Sequence, residues 1–376
     1  MGPKTKSAMY DVIIIGAGPA GLMAARTLKK SGARFLVLDR KKEIGFPLRC
    51  GEAIRASGFT ELFGPADFPF VSKRVSGHRV IFGDTQRDLS TDFIELDRPG
   101  FEKWLCREVS GEVEMQNECA GIEVAGGHCR LTTNKGTERS RIAIIANGCD
   151  FRLQKQLGLV KNTPLLAPCV GGIYEFDGLD ESRFKYVFDD RNEGYFWIFP
   201  KSATLANVGY GSFAKKTDIS ERFRALSDRY AAGAREISFY AGTVPVGGPI
   251  ARTYAPGIMV CGSAAGQVYA GTGEGIYYAL KAGQLAALTA LRALEEGRFD
   301  GHAMKKYEFS WKRAFGKHMR AGIISRDLIK LAYRIGRVET LIKAPGEKDL
   351  KALMVEGEVP FKIALKWHIL KLSGKL

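Results

Sequence analysis

The chain has 376 residues, of which 45% are hydrophobic and 26% are charged. This composition is typical of a globular protein of about two domains and excludes a disordered or low-complexity chain. The formal net charge of +15 is concentrated at one end, since residues 301–376 hold seventeen Lys or Arg against seven Asp or Glu. Such a face favours phospholipid headgroups, a phosphorylated substrate or nucleic acid, or is a solvated basic surface.

The sequence predicts no membrane-spanning segment, because Gly, Pro or Lys interrupts each apolar run before it reaches about 18 residues. Residues 1–9 lack the apolar core of a signal peptide, so we expect a cytoplasmic protein. The seven cysteines are scattered and form no CxxC pair. This pattern argues against a disulfide framework and a zinc site, and we expect no bound metal.

The N-terminal segment predicts a strand, a glycine turn and a helix in succession. The apolar run Tyr10–Ile15 leads into Gly16-Ala17-Gly18-Pro19-Ala20-Gly21 and then into LMAARTLKK. The first glycine permits a tight turn, the second lets the backbone approach a pyrophosphate, and the third lets the helix pack closely on the strand. A second strand at 34–38 ends in Asp39, where a ribose diol needs an acceptor. The pattern therefore predicts dinucleotide binding.

Residues 163–248 predict an antiparallel sheet, because short alternating runs are separated there by Gly and Asp. One run, GYFWIFP at 194–200, places Tyr195, Trp197 and Phe199 on one face of a strand. These rings are either an ordinary core beneath covering helices or the lining of an apolar substrate tunnel.

From residue 302 onward, helical periodicity with many basic residues predicts a C-terminal helical region. Its last segment, at 361–372, carries Lys362 and Lys366 one turn apart, with Lys371 on another face. Peripheral contact of this region with the inner face of the cell membrane is a hypothesis. Although the charge would suit nucleic acid, no dedicated motif is present and we expect no such partner.

Five segments, in order from about residue 10 to residue 300, resemble the geranylgeranyl reductase family of FAD enzymes. Tyr195-x-Trp197-x-Phe199-Pro200, with Gly209-Tyr210-Gly211 after eight residues, is the most specific of them. The other segments are the glycine turn, Gly45-Phe46-Pro47-Leu48-Arg49-Cys50-Gly51-Glu52-Ala53, Asp97-Arg98-Pro99-Gly100-Phe101-Glu102-Lys103-Trp104-Leu105, and Gly262-Ser263-Ala264-Ala265-Gly266 followed by Gly273-Glu274-Gly275-Ile276.

The resemblance implies an α/β fold with a Rossmann-type FAD-binding domain of the glutathione reductase or p-hydroxybenzoate hydroxylase kind. An antiparallel-sheet substrate domain and a C-terminal helical region complete the expected architecture. The expected FAD-binding domain is discontinuous and comprises 1–65, 97–155 and 250–300. The expected substrate domain comprises 66–96 and 156–249, and the helical region comprises 301–376.

The resemblance also implies the residues of the site. The residues expected to bind FAD are Gly16, Ala17, Gly18, Ala20, Gly21, Asp39, Arg40, Arg49, Cys50, Gly51, Ala53, Arg98, Ala120, Gly262, Ser263, Gly273, Gly275 and Ile276. The residues expected to bind substrate are Tyr195, Trp197, Phe199, Pro200, Gly209 and Gly211. The expected catalytic residues are Cys50, Tyr195 and Trp197, where Cys50 is either a redox or gating group beside the flavin or a simple packing residue.

Two positions depart from the wider fold. Ser263 follows Gly262 where an aspartate is usual, and Asn147 stands where Ala-Asp-Gly is usual. A serine can still hydrogen-bond a ribityl hydroxyl, but a neutral partner is weaker by about 1 kcal/mol. We therefore expect looser FAD retention, and the Asn147 departure argues against direct NADPH use.

The function that the resemblance implies is saturation of C=C bonds of geranylgeranyl chains, on archaeal-type ether phospholipids or a related isoprenoid, by hydride transfer from reduced FAD. The electron donor, a ferredoxin or reduced nicotinamide, stays open. The proton donor also stays open, with Tyr195 and an ordered water as candidates. Two alternatives remain: a flavin monooxygenase or halogenase on the same fold, and a non-catalytic flavin- or lipid-binding protein.

Overall fold

The computed structural model describes residues 9–214 and 217–372, within which two sheets and ten α-helices form. The strands are β1 (Tyr10–Ile15), β2 (Phe35–Asp39), β3 (Ala53–Arg55), β4 (Val71–Phe82), β5 (Thr85–Leu96), β6 (Val113–Met115), β7 (Cys119–Ala125), β8 (His128–Thr133), β9 (Gly136–Ile145), β10 (Leu166–Glu175), β11 (Arg183–Phe188), β12 (Gly194–Pro200), β13 (Leu205–Ser212), β14 (Arg235–Pro245), β15 (Tyr254–Ala255) and β16 (Ile258–Val260). The helices are α1 (Pro19–Lys29), α2 (Ala56–Phe63), α3 (Arg98–Cys106), α4 (Arg152–Gln156), α5 (Ile219–Tyr230), α6 (Ile276–Glu296), α7 (Gly301–Arg334), α8 (Val338–Lys343), α9 (Glu347–Lys351) and α10 (Phe361–Leu372).

The first sheet has the order β15-β16-β9-β1-β2-β6, and the β7–β8 hairpin joins it through β9. The central strand β1 pairs in parallel with β2 and β9, as the predicted strand, turn and helix require. Its side chains alternate between two cores, since Ile14 packs with α1 and α6 and Ile13 packs on the opposite face. Burial on both faces explains why the run is continuously apolar.

The second sheet has the order β14-β10-β13-β12-β11-β4-β5-β3. Its neighbouring strands run antiparallel except for β11 and β4, which pair in parallel. The aromatic strand β12 lies in the middle, between β11 and β13. On one face Phe196 and Ile198 pack with α5, and on the other face the Trp197 and Phe199 rings pack together. The structure confirms the predicted fold class, and the domain boundaries stay a prediction.

The C-terminal helices pack on both sheets. The long helix α7 packs along α6, and α8 contacts β4 and β5. A π-helical turn, Ala352–Glu356, follows α9 and contacts α7. Across the described residues, none of the helices combines the length and the apolar character needed to cross a membrane. The side chains of Lys366 and Lys371, on which the amphipathic prediction depends, lie outside the described residues.

Candidate active site

The glycine turn after β1 leaves no room for side chains at two of its positions. Gly16 has φ +108°, and a Cβ there would lie 2.4 Å from the Ala146 carbonyl oxygen. A Cβ at Gly21 would lie 1.8 Å from the Gly16 carbonyl oxygen. A Cβ at Gly18 would meet no atom within 4 Å, because this residue faces open space. This is the backbone arrangement that a pyrophosphate needs for close approach.

Asp39 lies at the end of β2 with its carboxylate facing the same open space. One carboxylate oxygen accepts a hydrogen bond from the Ala17 amide at 2.6 Å, and the other accepts from the Lys41 amide at 2.7 Å. Because a carboxylate offers about four acceptor positions, it retains capacity for the hydroxyls of a ribose diol.

The open space is formed by two adjoining cavities of about 520 and 780 Å³. They share small residues at the turn and in α6, and four arginines that would favour an anionic pyrophosphate. The shared lining comprises Pro19, Arg40, Arg49, Arg98, Asn147, Gly148, Asp150, Arg152, Ser263 and Ala279. The glycine turn, the acceptor at Asp39 and this arginine-rich space fit FAD, so the residues present match the predicted cofactor.

A network of buried polar side chains holds the segment Cys50–Glu52 in place. The Cys50 carbonyl accepts hydrogen bonds from Asn207 Nδ2 at 2.8 Å and from the Tyr240 hydroxyl at 2.9 Å. Glu52 is 1% exposed, and its carboxylate accepts from the Arg98 amide and from Lys201 Nζ, each at 2.9 Å. Glu52 also has φ +63°, a left-handed conformation that is uncommon for a residue other than glycine. The network holds Cys50 and Gly51 at the edge of the larger cavity.

A third cavity, of about 120 Å³, lies between β12 and the Cys50 segment. Its walls are aromatic, and its ring-bearing residues are Phe93, Tyr186, Tyr195, Trp197, Phe199 and Tyr240. We call it the aromatic pocket. Cys50, Gly51, Gly273, Gly275 and Ile276 line both this pocket and the larger FAD cavity. The aromatic pocket therefore opens beside the expected position of the flavin.

Polar atoms at the wall of the aromatic pocket are mostly paired. The Tyr195 hydroxyl donates to the Thr272 carbonyl, and burial raises the pKa of this phenol above its usual value. The Trp197 indole donates to Asn207 Oδ1 at 3.0 Å. Glu274 pairs with Arg55 at 3.0 Å, yet burial raises the pKa of the Glu274 carboxyl. An apolar wall whose polar groups are already hydrogen-bonded suits a hydrocarbon ligand.

Helix α6 begins at this junction, with Gly275 preceding its first residue Ile276. The helix runs for 21 residues, so its unpaired N-terminal amides and positive dipole end lie beside the two cavities. Negative charge that develops on a ligand here is stabilised by this end of the helix.

Most of the residues expected to bind FAD line the two FAD cavities. They are Gly16, Gly18, Ala20, Asp39, Arg40, Arg49, Cys50, Gly51, Arg98, Ser263, Gly273, Gly275 and Ile276. Ala17, Gly21 and Gly262 lie buried behind the lining, where they allow close packing. Ala53 lines the aromatic pocket, and Ala120 is exposed next to the lining residue Cys119.

The residues expected to bind substrate divide into two groups. Tyr195, Trp197 and Phe199 line the aromatic pocket, and Pro200 lines a different cavity. Gly209 and Gly211 do not line the pocket. A Cβ at Gly209 would lie 2.1 Å from the Trp197 ring, and one at Gly211 would lie 2.7 Å from the Cys169 sulfur. The two glycines therefore leave room for the Trp197 and Cys169 side chains, which line the pocket.

Five residues of the site were not predicted as such from the sequence. Asn207, Lys201 and Tyr240 build the network beneath the Cys50 segment. His78 and Tyr186 line the aromatic pocket from β4 and β11. The sequence signal for His78, Tyr186, Asn207 and Tyr240 is alternation within a strand, which shows that two residues share a face but not what that face contacts. Lys201 follows the end of β12 and carries no such signal.

Known proteins show similarity to this chain over its whole length. Residues 9–49 match a family described as an FAD binding domain, which confirms the predicted cofactor. The chain is 31% identical to digeranylgeranylglycerophospholipid reductase 2 of Methanopyrus kandleri, over 96% of this chain and 100% of that protein. It is 30% identical to the digeranylgeranylglycerophospholipid reductase of Methanocaldococcus jannaschii, over 91% of this chain and 93% of that protein.

A solved structure shows the same fold. The crystal structure of a geranylgeranyl bacteriochlorophyll reductase-like protein from Thermoplasma acidophilum superimposes with a TM-score of 0.82 at 22% identity. The superposition covers 98% of this chain and 99% of that one. Both sheets and the C-terminal helices therefore belong to a fold that is already known.

Proposed function

Because the chain belongs to the digeranylgeranylglycerophospholipid reductase family, we propose that it saturates C=C bonds of geranylgeranyl chains on archaeal-type ether phospholipids. The observation that carries this proposal is the shared lining of two cavities. Cys50–Gly51 and Gly273–Ile276 border both the space that fits FAD and the aromatic pocket. A ligand in the aromatic pocket would thus meet the cofactor directly.

Reduced FAD, when bound, supplies a hydride to the substrate. The protein holds this cofactor through the glycine turn, Asp39 and the basic lining of the two cavities. The Cys50 segment, held by hydrogen bonds from Asn207, borders both the cofactor space and the aromatic pocket. The N-terminus of α6 stabilises negative charge at the junction.

The aromatic pocket binds a segment of the prenyl chain and excludes water from it. Its rings offer apolar surface to methyl and alkene groups, and their π faces stabilise any positive character on the alkene. A volume of about 120 Å³ is below the roughly 300–1,000 Å³ that is usual for pockets of drug-sized ligands. We therefore propose that one alkene at a time lies in the pocket while the rest of the chain extends beyond it.

Peripheral membrane contact and the electron donor are further parts of the proposal. Exposed basic residues along α7, among them Arg313, Lys317 and Arg320, support an anionic partner such as phospholipid headgroups. Co-sedimentation with anionic vesicles at low salt, reversed at high salt, is the expected result. Absence of binding at every salt concentration would contradict it. A ferredoxin and reduced nicotinamide are the candidate electron donors.

Mass spectrometry of prenyl lipids after incubation with dithionite-reduced, FAD-loaded protein tests the proposed function. Each saturated alkene adds two hydrogens, so the lipid mass is expected to rise in steps of two daltons. A monooxygenase or halogenase would instead consume oxygen while an aromatic substrate stimulates NAD(P)H oxidation. If photoreduced protein is not reoxidised by geranylgeranyl lipid, the reductase proposal fails and a non-catalytic binding protein remains.

A further inference from the structure

Saturation of an alkene needs a proton as well as a hydride. The inference about the source of that proton rests on the proposed function. The π bond breaks as one carbon receives the hydride that reduced flavin supplies and the other carbon receives a proton in the same step. That proton forms the second new C–H bond. Since the aromatic pocket excludes bulk water, a side chain at its wall is the direct way to supply this proton.

Several polar groups at the wall are already engaged. The Tyr195 hydroxyl donates to the Thr272 carbonyl, and the Tyr240 hydroxyl donates to the Cys50 carbonyl at 2.9 Å. The carboxylate of Glu274 is held by Arg55 in a part-buried ion pair. Proton transfer from any of these groups would break a contact that shapes the pocket.

Tyr186 and His78 differ from these groups. Both line the aromatic pocket, and neither side chain forms a hydrogen bond with another described residue. The buried Nε2 atom of His78 has no hydrogen-bond partner among the described residues. Buried polar atoms are rarely left unpaired, so His78 points to a function in the pocket, and the half-buried Tyr186 beside it offers a hydroxyl without a hydrogen-bond partner among the described residues.

The two rings come from neighbouring strands and meet edge to face. β4 and β11 pair in parallel, with His78 opposite Phe184 and Tyr186 opposite Val80. The ring centroids of His78 and Tyr186 are 5.1 Å apart, and the ring planes meet at 74°. The Tyr186 ring also packs at 5.6 Å from Tyr195 and 5.1 Å from Phe199, the predicted substrate-contacting rings. Tyr186 thus places in the aromatic wall a hydroxyl group that has no hydrogen-bond partner among the described residues.

Burial sets the charge state of both side chains. It lowers the pKa of His78 to about 3, so this imidazole is neutral near pH 7 and cannot itself be the acid. Burial also raises the pKa of Tyr186 well above its usual value, so the phenol keeps its proton until a reaction partner takes it. A neutral imidazole still has one N–H donor and one acceptor nitrogen.

We propose that Tyr186 donates the proton that completes alkene saturation and that His78 is its positioning residue. The phenolic O–H bond breaks, its electron pair stays on oxygen, and the proton forms the second C–H bond of the product. The alkene is reduced by two electrons and the flavin is oxidised. The His78 N–H, which has no partner among the described residues, would turn to the phenolate oxygen and stabilise it, and water returns the proton when the product leaves.

Tyr186→Phe tests the assignment, because it removes the hydroxyl and keeps the ring. Reoxidation of the reduced flavin by prenyl lipid is expected to slow by about 100-fold or more, the usual contribution of a positioned acid. The dissociation constant for prenyl lipid on the oxidised protein is expected to change by less than about twofold, since one buried hydroxyl is lost from an apolar wall. Wild-type protein is expected to react more slowly in D₂O, because the phenolic proton that forms the second C–H bond exchanges with solvent.

Tyr174→Phe is the matched control, since its hydroxyl binds Glu236 and does not line the pocket. His78→Gln and His78→Phe form a second pair that leaves Tyr186 in place. We expect the Gln variant, which keeps a hydrogen-bonding group, to retain more activity than the Phe variant. FAD content and melting temperature confirm that each variant is folded.

Two results would overturn the assignment. One is a Tyr186→Phe variant that reoxidises at the wild-type rate, with both His78 variants unaffected. The other is a Glu274→Gln variant that slows reoxidation by about 100-fold or more while Tyr186→Phe slows it by less than about twofold. A wild-type protein that reduces no prenyl lipid would instead refute the proposed function.

Discussion

Asn207 donates a hydrogen bond from Nδ2 to the Glu52 carboxylate at 3.0 Å, in the buried layer between the Cys50 segment and the aromatic wall. The same amide group donates to the Cys50 carbonyl, and its oxygen accepts the Trp197 indole N–H. One side chain of β13 therefore fixes both boundaries of the aromatic pocket. The bonds to Glu52 and from Trp197 are buried, so solvent does not readily replace a lost partner there.

Asn207→Leu is expected to loosen both boundaries together. The substitution leaves the Trp197 N–H unpaired and removes one donor from Glu52, which lowers the free energy of unfolding by about 1–3 kcal/mol. FAD content after purification is expected to fall as well. Denaturant unfolding and flavin absorbance measure the two effects. Asn162→Leu, at an exposed loop position, is the control and is expected to change stability by less than about 0.5 kcal/mol.

The dinucleotide unit could be predicted from the sequence because its constraints are local. Gly16 has φ +108°, and a Cβ at Gly21 would meet the Gly16 carbonyl oxygen, so a short pattern records both requirements. The aromatic wall could be predicted because Tyr195, Trp197 and Phe199 alternate within one strand. What lies opposite that wall depends on how distant strands pair, which no local pattern records.

His78 and Tyr186 illustrate what the sequence did not show. They are separated by more than one hundred residues and meet only because β4 and β11 are neighbours in the sheet. Lys201, which follows the end of β12, likewise donates a hydrogen bond to Glu52, a residue far from it in the sequence. A residue predicted from the family resemblance alone, such as Ala120, can also lie next to a lining residue instead of in the lining.

Gly209→Ala is expected to disturb the Trp197 ring directly. The new methyl group would start 2.1 Å from the ring, which is buried and hydrogen-bonded to Asn207, so the ring or the strand must shift. Overpacking of this kind costs about 1–3 kcal/mol of stability. Thermal unfolding and the tryptophan emission maximum measure the change. Gly111→Ala is the control, since a Cβ there meets no atom within 4 Å, and equal stability of the two variants would contradict the prediction.

Cys50→Ala separates a redox or gating role of the thiol from simple packing. Cys50 borders both cavities, and its sulfur accepts a hydrogen bond from the Glu52 amide at 3.2 Å. If the thiol acts beside the flavin, reoxidation of the reduced protein by prenyl lipid is expected to slow by about tenfold, or about 1.4 kcal/mol. FAD content is expected to stay unchanged. Cys106→Ala is the control, and a wild-type rate in Cys50→Ala would leave the thiol with a packing role.

The stability of the Glu95→Gln variant relative to wild type is expected to increase as the pH rises. The Glu95 carboxyl is fully buried, and both of its oxygens lack a hydrogen-bond partner among the described residues. Burial raises its pKa well above 4.5 although Lys201 at 3.8 Å opposes this change. Above pH 4.5 the unfolded chain releases this proton while the folded chain keeps it, so wild-type stability falls as the pH increases.

The neutral amide of Glu95→Gln removes that dependence. The melting temperature of the variant relative to wild type is therefore expected to increase from pH 5 to pH 8. Glu295→Gln, at an exposed position of α6, is the control and is expected to show no such trend. A constant difference across this pH range would indicate that Glu95 is ionised in the folded protein.

Ser263→Asp tests why this chain is expected to hold FAD loosely. Ser263 lines both FAD cavities, at the position where the wider fold usually has an aspartate. A carboxylate would bind a ribityl hydroxyl more strongly by about 1 kcal/mol, which corresponds to a roughly fivefold lower dissociation constant for FAD. Isothermal titration of the apoprotein measures this constant, and Ser110→Asp, at an exposed position outside the cavities, controls for added charge. If Ser263→Asp binds FAD no more tightly than wild type, the serine is not what limits retention, and the arginines that line the cavities become the next residues to substitute.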